Sequence, residues 1–305
     1  MLHDTWLRGL VRRCPGTALF TALLCLLTGC GGMHRAPVTG GAMDTTAETT
    51  TRGQFRLDVI NVGYGDCLLL RGPGGETAMV DCGPREAGKR IAAFLREQEV
   101  ERIDLLVLTH PHPDHIDGLA GFIDRVEIGR ILESGLENEE SLHAELLARA
   151  AARGVPLSRM SPGMRIEALG EAVQWEVIHL GEFHNINEAS AVMRLQYGSR
   201  IFLLMGDAEV KAEQLLLKNL GPEGLRADVV KVGHHANVSD PDFIAAMTAE
   251  AALVTLGENP WNAPNEDTLT AWQATGAHVL RTDIHGDISV VTDGESLVIA
   301  VSADN

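Results

Sequence analysis

The sequence predicts a domain of the α/β class, strictly α+β, in which short strands alternate with helices in two similar halves, Phe55 to about Leu180 and Ser190 to Val301. Three observations carry this. Short runs rich in branched apolar residues recur along the chain, among them Ile103–Leu108, Val173–Leu180 and Ala251–Leu256, and such runs read as strands. Between them lie stretches with helical spacing. The clearest, Glu139 to Arg153, brings Leu142, Leu146 and Leu147 to one face and is stopped by Gly154 and Pro156. Finally, 305 residues with 45% apolar content can bury a large core.

The N-terminus stands outside that pattern. Arg8, Arg12 and Arg13 precede the apolar run Ala18–Leu27, which is too short and too N-terminal to span a membrane comfortably and has the layout of a secretory signal. It ends in Leu27-Thr28-Gly29-Cys30, which resembles the bacterial lipoprotein signal, in which Cys30 is lipidated and becomes the first mature residue. Residues 31 to 52 are small and polar, with a Thr-rich end and little to bury. The expected organisation is therefore a signal peptide at 1–29, a lipidated cysteine and flexible tether at 30–52, and one domain at 53–305. The expected location is the cell envelope, with the membrane as partner through lipid at Cys30.

Removing residues 1–29 takes away three basic and one acidic side chain, leaving 22 and 41 and a formal net charge of −19. With no basic run, the chain shows no general surface for nucleic acid, whose non-specific binding depends on Lys and Arg displacing counterions from phosphates. Of the cysteines, Cys14 and Cys25 leave with the signal, and Cys67 and Cys82 flank a hairpin with its turn at Gly72-Pro73-Gly74-Gly75. Folding that hairpin about its centre sets the two cysteines opposite each other. Directly opposed strand positions strain a disulfide, so two free buried thiols are expected, with pairing as the alternative.

The chemistry concentrates in Thr109-His110-Pro111-His112-Pro113-Asp114-His115-Ile116-Asp117-Gly118, directly after the strand Ile103–Leu108. Pro111 and Pro113 push His110 and His112 toward extended backbone, where residues two apart point the same way and can share one ion. Asp114 and His115 follow the second proline and can face another. Imidazole and carboxylate suit zinc, with manganese and iron also acceptable.

The spacing His110-x-His112-x-Asp114-His115 resembles the HxHxDH signature of the metallo-β-lactamase superfamily of hydrolases. Later stretches are similar to the extracytoplasmic hydrolase domain of the DNA-uptake protein ComEC and its free-standing relatives, over about 250 residues. Gly63-Tyr64-Gly65-Asp66 follows the first strand, with Tyr64 where the family phrase VGQGD has Gln; Asp66 is expected to tie down that turn, with metal contact as the alternative. Val80-Asp81-Cys82-Gly83 closes the third strand, and the resemblance makes Asp81 a carboxylate that orients a metal-binding histidine from behind; otherwise it caps the helix expected from Arg85 to about Gln98. Asn187 and Ser190 match an Asn-x-x-Ser pattern, and His179, His184 or Asn187 is left to complete the first metal position. His143 reads as a surface residue.

Gly206-Asp207 follows the strand Arg200–Met205, and the resemblance makes Asp207 the carboxylate that bridges both metals. In the commonest subclass of zinc β-lactamases this residue is Cys, so Asp207 argues against that activity. Lys231-Val232-Gly233-His234-His235 matches the family phrase KVGHH, with one histidine expected on metal and the other near substrate. Ala263 replaces a histidine that relatives often carry, and Thr282-Asp283-Ile284-His285-Gly286 matches a late turn in which His285 faces phosphate or donates a proton. The fold implied is the four-layer αββα sandwich, with the site at one edge between two sheets.

The implied function is hydrolysis by two divalent ions, zinc foremost, which make water acidic enough to attack near neutral pH. Asp114 orients that nucleophile or accepts its proton. His234, His235 or His285 assists the leaving group. The substrate class is a phosphoester, with nucleic acid and small phosphodiesters both open. The alternatives are an amide or ester hydrolase of β-lactamase type, disfavoured by Asp207, and a non-catalytic metal-binding envelope lipoprotein, disfavoured because six or more ligands exceed what a closed structural site needs.

Overall fold

The computed structural model describes residues 38–39, 53–181 and 183–303. The stretch expected to be a signal sequence, and Cys30, lie outside the described residues. In the segment read as a tether, Val38–Thr39 runs parallel to Ile299 and Ala300 at a sheet edge.

Two sheets form the centre. The larger has nine strands, running from Val38–Thr39 through Leu297–Val301, Ile288–Thr292, Phe55–Val59, Leu68–Arg71, Thr77–Val80, Leu105–Leu108 and Ile131–Glu133 to Leu157–Arg159. The smaller has six, Val173–His179, Val192–Tyr197, Arg200–Leu204, Val229–Lys231, Ala251–Val254 and His278–Arg281, in chain order. A two-stranded ribbon joins Arg102–Ile103 to Glu127–Ile128.

Strand alternation explains the layering, since successive side chains leave opposite faces of a sheet. Leu57, Val59, Leu70 and Val107 of the larger sheet meet Trp175, Val177, Leu195 and Phe202 of the smaller in one buried core. The opposite face of the larger sheet, with Leu69, Met79, Leu106 and Leu108, packs on Ile91, Phe94 and Leu95 of the helix Gly88–Glu97 and on Leu146 of the helix His143–Ala152. The outer face of the smaller sheet carries Leu203, Val230 and Val254 against Leu216 of the helix Val210–Leu225, Phe243 of Pro241–Ala246 and Trp272 of Glu266–Ala274. The result is the four-layer αββα sandwich that the resemblance implies.

The halves exchange strands, and two local expectations need correction. The two halves do not each keep their own sheet. Val173–His179 crosses to pair with Val192–Tyr197, and Ile288–Thr292 returns to pair with Phe55–Val59. Each half thus supplies a strand to the other's sheet. The hairpin register pairs Leu68 with Val80, which sets Asp81 rather than Cys82 opposite Cys67, and both cysteines are free and buried. Burial pushes both thiols well above their ordinary range. His143 is buried, not on the surface, with Nε2 3.8 Å from the buried Glu133 carboxylate. Burial pulls its pKa down despite that carboxylate.

Candidate metal centre

The loops at one end of the facing strands hold the histidine–carboxylate cluster. His110 follows the buried strand Leu105–Leu108, and the extended backbone at His112 (φ −75°, ψ 148°) ends in the single helical turn Pro113–Ile116 that carries Asp114 and His115. Asp207 arrives from the strand Arg200–Leu204 across the sandwich. Its backbone N–H donates to Ser190 Oγ at 3.0 Å, and Ala191 N–H donates to the Thr109 carbonyl at 3.1 Å, which ties the two sides together. Gly206 sits at φ +52°, where a Cβ would lie 2.2 Å from Ser190 Oγ, so only glycine lets the chain approach that closely. His235 is delivered by a strained turn: His234, His235 and Ala236 all have left-handed backbone, at φ 39°, 53° and 59°. Such conformations cost roughly 1–2 kcal/mol each and persist where the surroundings over-determine them.

Three groups of donor atoms result, each with all its atoms within 4.8 Å of one another; the third, Asp66, Asp81 and His115, lies behind the His115 ring at Nδ1. The first is His110, His112 and Asp207; the second is Asp114, His115, Asp207 and His235. Asp207 divides its oxygens between them. Oδ2 lies 3.5 Å from His110 Nε2, while Oδ1 lies 3.2 Å from His115 Nε2 and 3.6 Å from His235 Nε2. Asp114 Oδ2 closes the second group, 3.3 Å from His235 Nε2 and 3.7 Å from His115 Nε2. In the first group His110 Nε2 and His112 Nδ1 are 3.0 Å apart. Two donors on one tetrahedral zinc, with bonds of 2.0–2.1 Å, stand about 3.3 Å apart.

A cation fits this set on a further observation. His115 Nε2, His235 Nε2 and Asp207 Oδ1 are buried polar atoms with no hydrogen-bond partner. Buried polar groups normally find partners, and three unpartnered atoms from one donor group are satisfied together by a cation.

The rings of the second group are fixed from behind. His115 Nδ1 lies 2.8 Å from Asp81 Oδ2, and that carboxylate also accepts the Thr109 N–H at 2.8 Å and the Thr109 hydroxyl at 2.6 Å. Asp81 therefore holds a ligand rather than capping a helix. His235 Nδ1 lies 2.8 Å from Thr255 Oγ1, which donates to Asp66 Oδ1 at 2.6 Å. Asp66 is in turn ion-paired with the buried Lys231, whose Nζ donates to the Gly206 carbonyl at 2.8 Å. A carboxylate behind the far nitrogen sets the tautomer and raises ligand basicity.

The charges follow. Burial alone would push Asp114 and Asp207 up, but His115 and His235 beside them hold both carboxylates well below their ordinary range. Burial would likewise pull His115 down, but Asp207, Asp114 and Asp81 hold it well above its ordinary range. A metal entering the second group therefore displaces a proton from His115. Burial and the neighbouring His115 lower His110, and burial with His110 lowers His112 to about 4, so the first pair already stands neutral.

The remaining candidates fall outside both groups. His234 keeps Nε2 4.0 Å from Asp207 Oδ2 at the rim, with Nδ1 bonded to Glu209. Burial lowers its pKa, but the Glu209 hydrogen bond and Asp207 outweigh that and raise it. The structure thus puts His235 among the donors and leaves His234 beside them. His179 is turned to the Glu188 carbonyl at 2.7 Å, and His184 is exposed. Asn187 Nδ2 lies 3.3 Å from His234 Nε2, and its Oδ1 is buried without a partner. His285 is in neither group; its Nδ1 accepts the Arg281 N–H at 2.9 Å.

Comparison with known proteins identifies the family and the fold. The family model described as "Metallo-beta-lactamase superfamily" matches residues 60–257. Among curated relatives, the chain is 26% identical over 255 residues to ComE operon protein 3 of Bacillus subtilis (strain 168), covering 76% of this chain and 32% of that protein. It is 27% identical over 277 residues to competence protein ComA of Neisseria gonorrhoeae, covering 88% and 37%, and 22% identical over 251 residues to recombination protein 2 of Haemophilus influenzae, covering 77% and 29%. The chain thus spans about a third of the length of these ComEC-type relatives. Among solved structures, the metallo-β-lactamase fold protein YhfI of Bacillus subtilis aligns at a TM-score of 0.52 and 13% identity, covering 77% of this chain and 99% of that one. The diiron β-hydroxylase CmlA of Streptomyces venezuelae aligns at 0.51 and 15%, covering 77% and 53%. With its fold, its HxHxDH loop and a family match over most of its domain, this chain belongs to the metallo-β-lactamase superfamily.

Proposed function

We propose that the chain is a binuclear metallohydrolase that cleaves phosphodiester bonds in nucleotides or nucleic acid, held at the cell envelope by lipid on Cys30. The observation that carries this reading is the division of Asp207 between two donor groups, which suits a pair of ions sharing one carboxylate. Zinc is the proposed metal, since imidazole and carboxylate donors dominate both groups. The phosphodiester assignment draws on relatives named for competence and recombination, and on Asp at position 207. Ions held by these residues would supply an acidified water and positive charge at the phosphate.

The chain's own residues do the rest. Asp114, whose side chain is 20% exposed, borders the open face and can hold the attacking water in line or accept its proton. His234 Nε2 lies 4.0 Å from the Asp207 oxygen that faces His110, with Asn187 beside it, so a phosphate held at the first group would meet both side chains. His234, bonded to Glu209 and free of both donor groups, is the proposed proton donor to the leaving alkoxide. Asp81, Thr255 and Asp66 keep the ligand rings from turning.

The test is metal content and hydrolysis of bis-p-nitrophenyl phosphate by the full chain in detergent, beside Asp207→Ala. Two ions per chain with turnover lost in the variant is the expected result. Two ions without turnover would shift the reading to an amide or ester hydrolase, and no bound metal after reconstitution would sink it. Lipidation is checked separately by labelled palmitate, expected to enter the wild type and not Cys30→Ser.

A further inference from the structure

An aromatic stack runs outward from the second donor group. The Tyr64 ring lies 4.2 Å from His235, centroid to centroid, and Trp261 lies 4.9 Å from Tyr64 on its outer side, tilted by 36°. Tyr64 is buried at 8% exposure, whereas Trp261 is 59% exposed, the largest exposure of any big hydrophobic side chain among the described residues. Two loops from different parts of the chain make this stack, and they are locked together. A Cβ on Gly257 would meet Gly63 Cα and C at 2.5 Å and Tyr64 N at 2.6 Å, so the loops touch backbone to backbone. Asn259 then fixes the loop bearing Trp261. Its Oδ1 accepts the N–H groups of Trp261 and Ala263, both at 3.1 Å, and its Nδ2 donates to the carbonyls of Gly257 and Ala263, both at 2.9 Å.

A tryptophan left in water by a loop held this firmly is a preorganised surface rather than a stray side chain. Trp261, at the outer end, is largely exposed and stands two ring contacts away from His235 of the second donor group. The chain carries a net charge of −17, and no charged residue is part of the stack. A substrate held there gains little from lysine and arginine and must be held by metal at its phosphate and by stacking at a ring.

We propose that Trp261, backed by Tyr64, is the base-binding platform of this site, taking an unstacked nucleobase while its phosphodiester lies at the metals. The inference rests on the phosphodiesterase reading above and narrows its substrate class to nucleotides and single strands. Bases inside a duplex offer no free face without unstacking.

The test is calorimetric titration of the zinc-loaded full chain in detergent with thymidine 5′-monophosphate and with 2-deoxyribose 5-phosphate, which share the phosphate and the deoxyribose and differ in the base. Stacking on one aromatic residue predicts about tenfold tighter binding of the thymidine nucleotide. That preference should collapse to about one in Trp261→Ala and survive in Trp261→Phe. Quenching of Trp261 emission, isolated as the difference between wild type and Trp261→Phe, should track the same titration. Equal affinity for the two probes, a preference unchanged in Trp261→Ala, or no binding of either probe would each overturn the platform. Hydrolysis of bis-p-nitrophenyl phosphate in the same preparation keeps the two readings apart. Turnover without base preference sinks the platform alone, and base preference without turnover sinks only the hydrolytic assignment.

Discussion

The two halves of the metal centre are built to different standards. The second position has four donors, from Asp114, His115, Asp207 and His235, and both of its rings are held from behind by Asp81 or by the Thr255–Asp66–Lys231 chain. The first has three, from His110, His112 and Asp207, and only Thr109 Oγ1, 3.1 Å from His110 Nδ1, supports a ring. His110, His115 and His235 are fully buried, while His112 is only partly so. A closed set of oriented donors binds tightly, and an open one leaves coordination for water and substrate. The second position therefore reads as the anchor and the first as the working face.

Asp207→Ala tests what the two positions share. Removing the carboxylate takes one donor from each, so metal content should fall below one ion per chain and turnover by on the order of a thousandfold or more. If the variant kept two ions, Asp207 would not be the link between the groups. His235→Ala and His112→Ala then separate the positions. The first should lose the tightly held ion, whereas the second should keep one ion that resists brief chelation. The reverse pattern, read by metal analysis after dialysis, would invert the roles of anchor and working face.

Smaller effects are expected behind the ligands. Asp81→Asn leaves His115 in place but weakens its orientation and basicity, which typically costs 10–100-fold in metal affinity. The loss should fall on the second ion alone, visible as one weakened step in a competition titration. Acid should discriminate in the same direction. His115 is held protonated in the metal-free site because its pKa is raised, so an ion at the second position competes with that proton. Affinity there should fall by up to about tenfold per pH unit below the raised value. At the first position His112 titrates only near 4, so affinity should stay flat between pH 7 and 5. Parallel decline at both positions would remove the electrostatic part of the contrast.

How much of this was legible in the sequence follows from distance along the chain. His110, His112, Asp114 and His115 share six consecutive positions, and the geometry of an extended segment followed by one helical turn is enough to face them two ways. Asp207 and the Gly233-His234-His235 turn were visible through the family pattern, because each ends a buried strand. The choice between His234 and His235 was not, since it depends on three successive left-handed residues that no local propensity favours. The exchange of strands between halves, the hairpin register and the burial of His143 beside Glu133 depend on pairings made in three dimensions. The Tyr64–Trp261 stack was missed for the same reason. Its one sequence signal was Tyr64 in place of the usual Gln, together with a Trp in a Pro- and Asn-rich loop.

Asn187 gives the smallest effect and the finest discrimination. Its Oδ1 is buried and unpartnered, while Nδ2 lies 3.3 Å from His234 Nε2 and 3.4 Å from Glu209 Oε1. Two roles are consistent with that placement, and they separate in one variant. If the amide oxygen supplements the three donors of the first position, Asn187→Ala should weaken the first ion by about threefold to tenfold, less than loss of an imidazole, because a neutral carbonyl is a poorer donor to zinc. If Asn187 instead only steadies His234, metal affinity should hold while kcat drops with KM unchanged, since a proton donor acts in the transition state. Asn187→His sharpens the same point. An imidazole reaching the first position would bring it to four donors and narrow the gap in affinity between the two ions. No change in either variant would mean that the open side of the first position is kept open by the fold around it, and that the unequal construction of the two halves does not depend on this residue.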